Sequence, residues 1–259
     1  MNNIYDYPKY YEIAYSYRDI PGEVDVLEQA IREFSHIEVR DFLEIACGNS
    51  PHMLELLKRG YSFSGLDISR PMLDFSRQKA ETLGFTVNLY QGDLVDFELP
   101  EPVDFVYTMM GSLYVNTTAD LLSHFASVYQ ALKPGGLYFL DWCIDFSPLD
   151  DTRDTWVMKR DDIEVKTYYS TRLLSAPLQH YKEEVTFLVR DGKNHLKLQN
   201  SAVRRGIYPQ EFILAATKVN NFEFLGWWND WDLYSPLENT RGEIIRPIAL
   251  LRRPSTLVV

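Results

Sequence analysis

The chain reads as an α/β protein: a mostly parallel sheet with helices on both faces, carrying an antiparallel β insertion after its fifth strand. Three observations predict this. Short apolar strands alternate with amphipathic helices as far as Ile144, a rhythm that needs crossover connections and therefore parallel pairing. It breaks at about Asp145, and no convincing long helix appears between Thr155 and Arg204. Helical and strand patterns then resume from Tyr208 to Arg252.

Residues 1–20 are tyrosine-rich, and Glu23 to Phe34 forms an amphipathic pattern with Val24, Leu27, Ile31 and Phe34 on one stripe. The first strand, Phe42 to Ala46, enters the turn Cys47-Gly48-Asn49. Ser50 and Pro51 supply an N-cap hydroxyl and a first-turn proline for a helix that buries Leu54, Leu56 and Leu57. The second strand, Tyr61 to Leu66, delivers Asp67 at its carboxyl end, where open α/β sheets bind ligands. Ser69-Arg70-Pro71 opens a helix through about Thr82, ended by Gly84. Phe85 to Tyr90 and Pro102 to Tyr107 are the third and fourth strands. A helix from Asp120 to Leu132 buries Leu121, Leu122, Phe125 and Val128; Lys133-Pro134-Gly135-Gly136 then turns into the fifth strand, Leu137 to Ile144. In the insertion, Ile163 to Leu174, Tyr181 to Arg190 and Leu196 to Arg204 read as strands between turn signals. The last helix is Gln210 to Lys218, and the last strands are Phe222 to Trp227 and Pro247 to Arg252. An aromatic, acidic loop, WWNDWDLYSPLENT, lies between them at 227–240.

With 259 residues the chain can bury a full core, divided here into 1–144 with 205–259 and an insertion at 145–204. Its formal charge of -11 disfavours a nonspecific grip on DNA, RNA or anionic lipid, though a local basic groove stays open. Cys47 and Cys143 sit in apolar contexts that suggest neither a disulfide framework nor a thiolate metal cluster. The N-terminus has no basic segment followed by an apolar one, and no apolar run approaches membrane-spanning length, so a soluble cytoplasmic protein is expected. No histidine pair has metal-ligand spacing with an acid, and no metal is expected. His52 reads as a packing residue more than a base, His124 as peripheral, and His180 and His195 as insertion-turn residues.

The turn after the first strand must let backbone approach a ligand, and Gly48 is the position that allows it. A dinucleotide site wants GxGxxG, which is absent, and Pro51 removes an N–H from where a phosphate would be held. A nucleoside with an uncharged or cationic arm suits the site better. Asp67 has the reach to accept from both ribose hydroxyls; the rival reading is a cap on the Ser69 helix. Asp93, after Gly92, would accept from an adenine amine with Leu94 near the ring, or stand in a solvated turn. Met109 suits a wall against a flat ring or a methyl-bearing sulfur, with core packing as its rival. Glu44, inside an apolar strand, is costly to bury alone and is expected to face a cationic ligand or the turn's N–H groups.

In this order, an acidic first strand running into Ala46-Cys47-Gly48, Asp67, Gly92-Asp93 and Leu132-Lys-Pro-Gly-Gly136 resemble the class I S-adenosylmethionine-dependent methyltransferases. The likeness implies a Rossmann-like seven-stranded sheet. It implies that Glu44 and the backbone of Ala46, Cys47 and Gly48 face the cofactor's methionine part. Asp67 and Ile68 would hold ribose and flank adenine, and Gly92, Asp93 and Leu94 would meet the adenine edge. Met72 and Met109 would line the pocket, and Ser112-Leu113 would lead to the acceptor. Ser50 departs from the family, where many members carry glycine.

Lys-Tyr-Tyr-Glu-x-x-Tyr-x-x-Arg at 9–18, the insertion, and Arg205-Gly-Ile-Tyr-Pro209 are similar to the sugar N,N-dimethyltransferases of deoxyamino-sugar pathways. That implies an N-terminal cap, residues 1–35, in which Tyr11 and Tyr15 close the pocket. Arg18 would pair bidentately with the methionine carboxylate. Trp228 and Trp231, with Asp230 and Asp232, are the expected acceptor wall, suited to a cationic or amino substrate; a surface turn or dimer contact is the rival.

The expected function is methyl transfer from S-adenosylmethionine to a small-molecule acceptor. The absence of an unambiguous base leans toward an amine. Nucleic-acid adenine methyltransferases carry Asn or Asp-Pro-Pro-aromatic after the fourth strand; Met109-Met110-Gly111-Ser112 stands here, so no DNA substrate is expected. The alternatives are a noncatalytic S-adenosylmethionine-binding scaffold or sensor, and an RNA or protein methyltransferase. The insertion would serve as a substrate lid or as the sheet of a homodimer.

Overall fold

The structure, a computed structural model, describes residues 2–237 and 242–255. A 3-10 turn at Ile4–Asp6 leads into helices α1 (Pro8–Ala14) and α2 (Ile20–Phe34). Then come β1 (Asp41–Ile45), α3 (Met53–Lys58), β2 (Ser62–Asp67), α4 (Arg70–Thr82), β3 (Asn88–Gln91), β4 (Val103–Thr108), α5 (Thr118–Ala131) and β5 (Leu132–Asp141). The insertion holds β6 (Thr152–Arg160), β7 (Ile163–Ser175), β8 (His180–Asp191) and β9 (Asn194–Arg205). Helix α6 (Pro209–Ile213), a π-helical turn at Leu214–Val219, β10 (Glu223–Trp228) and β11 (Ile248–Arg252) complete the order.

Seven strands form one sheet in the order β10-β11-β5-β4-β1-β2-β3, and β6–β9 form a second, antiparallel sheet. Pairing is parallel from β5 to β3, while β11 runs antiparallel to both β5 and β10. The connections reverse direction between β1 and β4, the place where such sheets open a crevice at their carboxyl ends.

Strand alternation divides the core. Leu43, Ile45, Val106 and Leu140 face Leu121, Phe125 and Val128 of α5. Phe42, Phe105, Tyr107 and Phe139 face Val24 and Leu27 of α2 and Leu56 of α3. Each such side chain, fully buried, contributes about 1.5–3 kcal/mol. A third cluster joins Val165, Val185, Phe187 and Leu198 of the insertion to Ile4, Ile13 and Ala14. The N-terminal segment thus packs on the insertion sheet on one side and against α4 on the other.

Several elements differ from expectation. Helix α3 starts at Met53, because Ser50 adopts φ +47 and so cannot take the extended backbone of an N-cap. Its hydroxyl is buried without a partner. Leu132 to Gly136 already belongs to β5, which stops at Asp141 where Trp142 turns left-handed at φ +56. The insertion contains a fourth strand, β6, on its edge. The last helix is one short α-turn continued by a π-turn. Residues 238–240 of the aromatic loop lie outside the described residues.

Among the described residues no helix is long and apolar enough to cross a membrane, and no group of three or more His, Cys, Asp or Glu is arranged to hold a metal ion. Cys47 and Cys143 are free and buried.

Candidate active site

The turn after β1 coils through alternate left-handed residues, Ala46 at φ +53, Gly48 at φ +52 and Ser50 at φ +47. Left-handed backbone costs a residue with a Cβ about 1–2 kcal/mol, so Ala46 and Ser50 carry strain of the kind that gathers at ligand sites. A Cβ added to Gly48 would meet nothing within 4 Å. The turn is braced by Asp67, whose Oδ2 accepts from the Gly48 N–H and Oδ1 from the Ser69 N–H, each at 2.7 Å. The Asp67 carboxylate therefore does tie down the start of α4. Each oxygen keeps a second lone pair for a ligand hydroxyl. Burial pushes the Asp67 pKa up, against the pull of the Ser69 and Gly48 N–H groups.

A cavity of about 1540 Å³ opens between the carboxyl ends of β1, β4 and β5, the N-terminal segment and the inner face of the insertion. Glu44, Ala46, Cys47 and Gly48 line one side, with Met109, Ser112 and Leu113 beside them. Tyr11, Tyr15 and Arg18 line the cap side, the two rings 4.7 Å apart and Tyr15 6.3 Å from Phe187 of β8. Met109 does both things anticipated for it, packing in the α2-side core and lining the cavity. Burial keeps the Cys47 thiol protonated, its pKa well above the ordinary value.

Asp67, Ile68, Gly92, Asp93 and Leu94 cluster at the ends of β2 and β3, beside this cavity and not on its wall. Ile68 is 70% exposed there. Met72, on the buried side of α4, lies in the core and not on the cavity wall, a correction to its expected place in the pocket.

The tryptophans are placed differently too. Trp228 belongs to β10 and packs 5.1 Å from Phe34 in the core, since strand alternation turns it toward α2. Trp231 donates its ring N–H to Asp141 at 2.7 Å and lies under the Arg246 guanidinium at 4.3 Å. Neither lines the cavity. His124 is not peripheral but fully buried, with Nδ1 2.7 Å from the Leu94 carbonyl and Nε2 2.9 Å from the Tyr138 hydroxyl.

The wall opposite the glycine turn comes from the insertion. Arg204 Nη1 donates to Glu183 at 2.9 Å, and its Nη2 donates to the Gly111 carbonyl. The guanidinium lies 4.0 Å from the Tyr114 ring and 5.5 Å from that of Tyr181. Tyr169 donates to Glu183 at 3.0 Å, and Tyr114 donates to its other oxygen. Arg204 Nε is buried without a partner. Asp145 completes this wall, one oxygen accepting from the Ile207 N–H at 3.1 Å. Burial pushes its pKa up, against the Ile207 N–H and Arg204. Sequence reasoning missed these residues. The available signal was an acid at Glu183, in phase with inward Tyr181, Val185, Phe187 and Val189.

S-adenosylmethionine fits the residues present: open space above Gly48, and the opposite charges of Glu44 and Arg18 on one cavity for a zwitterionic amino acid end. Residues 42–136 match the family described as a methyltransferase domain. The dTDP-3-amino-3,4,6-trideoxy-alpha-D-glucopyranose N,N-dimethyltransferase of Streptomyces venezuelae is 28% identical over 72% of this chain and 77% of its own. Among solved structures, an S-adenosylmethionine-dependent methyltransferase from Clostridium acetobutylicum aligns over 95% of this chain and 96% of its own, with TM-score 0.77 and 18% identity. The amino pentose methyltransferase CalS10 from Micromonospora echinaspora, solved with S-adenosylmethionine bound, covers 94% and 96% with TM-score 0.72 and 19% identity. Sheet order, the ordered strand-end residues and the domain match together make this chain an S-adenosylmethionine-dependent methyltransferase that resembles the class I enzymes of the small-molecule, deoxyamino-sugar subgroup.

Proposed function

We propose that this methyltransferase acts on a nitrogen of an amino sugar or a similar hydroxylated amine held against the insertion wall, and that two copies associate through the insertion's outer face. The observation that carries the first reading is the wall itself: the Asp145 carboxylate and the Arg204-paired carboxylate of Glu183 among Tyr114, Tyr169 and Tyr181 on one cavity with the glycine turn. Anionic and aromatic groups of this kind attract an amine and orient it.

S-adenosylmethionine, when bound, supplies the electrophilic methyl group. Glu44 would hold the ammonium and Arg18 the carboxylate of its amino acid end, Asp67 would take the ribose hydroxyls on its free lone pairs, and Ile68, Asp93 and Leu94 would receive adenine. Tyr11 and Tyr15 shut the cavity from the cap side, which excludes water and strengthens the remaining electrostatics. Alignment of nitrogen with methyl carbon supplies most of the acceleration. The amine need only arrive neutral and leaves as its methylated ammonium, and Asp145, with one oxygen held by the Ile207 N–H, stands on the wall to accept a hydrogen bond from it.

The test is release of S-adenosylhomocysteine with the aminodeoxy sugar nucleotide named for the Streptomyces venezuelae relative, set against the same sugar carrying a hydroxyl in place of the amine. Turnover of the amine alone is expected. Turnover of the hydroxyl sugar alone overturns the assignment to nitrogen.

A further inference from the structure

Glu44 and Arg18 meet the cavity as opposite charges, and one buried network holds both from behind. Glu23, in the first turn of α2, accepts from Arg18 Nε at 3.2 Å and from Arg18 Nη2. It also accepts from Arg246 Nη1 at 2.9 Å, and its Oε2 lies 2.8 Å from His52 Nε2. The other ring nitrogen of His52 faces Glu44 Oε1 at 3.6 Å, while the Tyr107 hydroxyl donates to Glu44 Oε2 at 3.2 Å. Arg246 continues the chain to Asp141 through Nε at 2.9 Å and Nη2 at 2.8 Å.

Glu23, His52, Tyr107, Asp141 and Arg246 are off the cavity wall; Arg18 and Glu44 are on it. His52 and Asp141 are fully buried and Glu23 is 6% exposed, so solvent does not hold these groups in place. Three carboxylates (Glu23, Glu44, Asp141) face two guanidinium groups (Arg18, Arg246) and one imidazole, and the charges balance when His52 is protonated. His52 Nε2 is within hydrogen-bond distance of Glu23 and also 3.2 Å from Arg18 Nη2, while Nδ1 is buried without a hydrogen-bond partner and faces Glu44 as a charge neighbour.

Buried ionic networks are weak sources of stability, since well-packed apolar groups do as well. What such a network supplies is geometry. Arg18 sits in the link between α1 and α2, on a long side chain whose rotamer freedom must be lost before its fork can meet a ligand. Two of its nitrogens are fixed on Glu23, which leaves Nη1 of the fork for a ligand. Glu44 is held by the Tyr107 hydroxyl, with the His52 ring facing it on the sheet side, and it lines the cavity.

Building on the S-adenosylmethionine reading, we propose that Glu23 and His52 are positioning residues that hold Arg18 and Glu44 in the arrangement that receives the carboxylate and ammonium of the cofactor's amino acid end. Neither touches the ligand itself.

Calorimetry with two probes separates this from a structural role. S-adenosylhomocysteine carries the amino acid end; 5′-methylthioadenosine shares its adenosine and sulfur but lacks it. Glu23→Gln and His52→Asn are expected to weaken S-adenosylhomocysteine binding by about 10- to 100-fold, the equivalent of one charge-assisted hydrogen bond. Methylthioadenosine affinity should stay within about twofold, because its loss would need damage beyond the hydrogen bond removed. Glu23→Asp, which keeps the charge, should fall between wild type and Glu23→Gln, and it carries the contrast if Glu23→Gln does not fold. Equal losses for both probes, or no loss for either, overturn the positioning role. Wild-type protein that binds neither probe overturns the cofactor reading instead.

Discussion

Two fully buried histidines in this chain have opposite electrostatics. Burial alone would lower the pKa of His52, but its hydrogen bond to Glu23 and the negative charge of nearby Glu44 outweigh that and raise it. Burial also lowers that of His124, and there the Leu94 carbonyl only partly opposes it, leaving about 4. The signs follow by linkage. The folded state binds the His52 proton more tightly, so its stabilisation is complete below the ordinary 6.5 and is lost as pH rises through the higher folded value. His124 contributes above 6.5, and that contribution is lost as pH falls from there toward about 4. Imidazole NMR titration should therefore show one resonance titrating above 6.5 that vanishes in His52→Asn, and one near 4 that vanishes in His124→Asn. In denaturant unfolding, the gap between wild type and His52→Asn should narrow as pH climbs. Both resonances titrating near 6.5 would contradict the network around His52.

At the scale of elements, legibility tracked burial. Strands β1, β4 and β5 are covered on both faces, so they appear in the sequence as apolar runs. Strand β6, TRDTWVMKR, is an exposed edge with almost no buried position, and nothing in its alternation announces it. The glycine turn and Asp67 were legible because backbone chemistry there constrains residue type. Glu183 and Arg204 were not, because they meet Gly111 and Tyr114 only once β8 and β9 fold back over the crevice. Trp228 looked like a loop residue because strand ends are invisible to composition. The insertion's outer face has its own consequence. Val157, Tyr168, Leu188 and Val203 are exposed there, interleaved with Lys166, Lys182 and Lys197 by strand register. Two such faces related by a twofold axis bring apolar rows together but also oppose like charges. Salt screens the repulsion while leaving apolar contact intact. Sedimentation should thus find a dimer whose population grows from about 0.1 M to about 1 M salt, as the Debye length drops from ~10 Å to ~3 Å. Leu188→Lys should reduce it. A monomer at every salt concentration would remove the outer face from consideration as an interface.

Across the whole molecule, the cavity is shared property. The core contributes the strand ends, the N-terminal segment the cap, and the insertion the far wall. Glu12 of α1 ties them together, accepting from Lys79 of α4 at 2.9 Å and from Arg160 of β6 at 2.7 Å. Lys79 also donates to the Asn49 carbonyl in the glycine turn at 2.7 Å, and Trp156 donates to the Ala14 carbonyl at 2.7 Å. A ligand seated in this cavity binds only when all three parts are in place, so its free energy is added to each of them. At one hundred times its dissociation constant, S-adenosylhomocysteine should stabilise the folded chain by about 2.7 kcal/mol. For a chain of this size that amounts to a rise in Tm of about 5–10 °C. The distribution of the effect is the sharper test. Hydrogen exchange should slow in α1 and in β8 as well as in the turn at 46–50, because opening the cap or the insertion releases the ligand. Slowing confined to the turn and the ends of β1 and β2 would mean that the cap and insertion open independently of the cofactor, and that Glu12, Lys79 and Arg160 hold the roof together without making it part of the binding site.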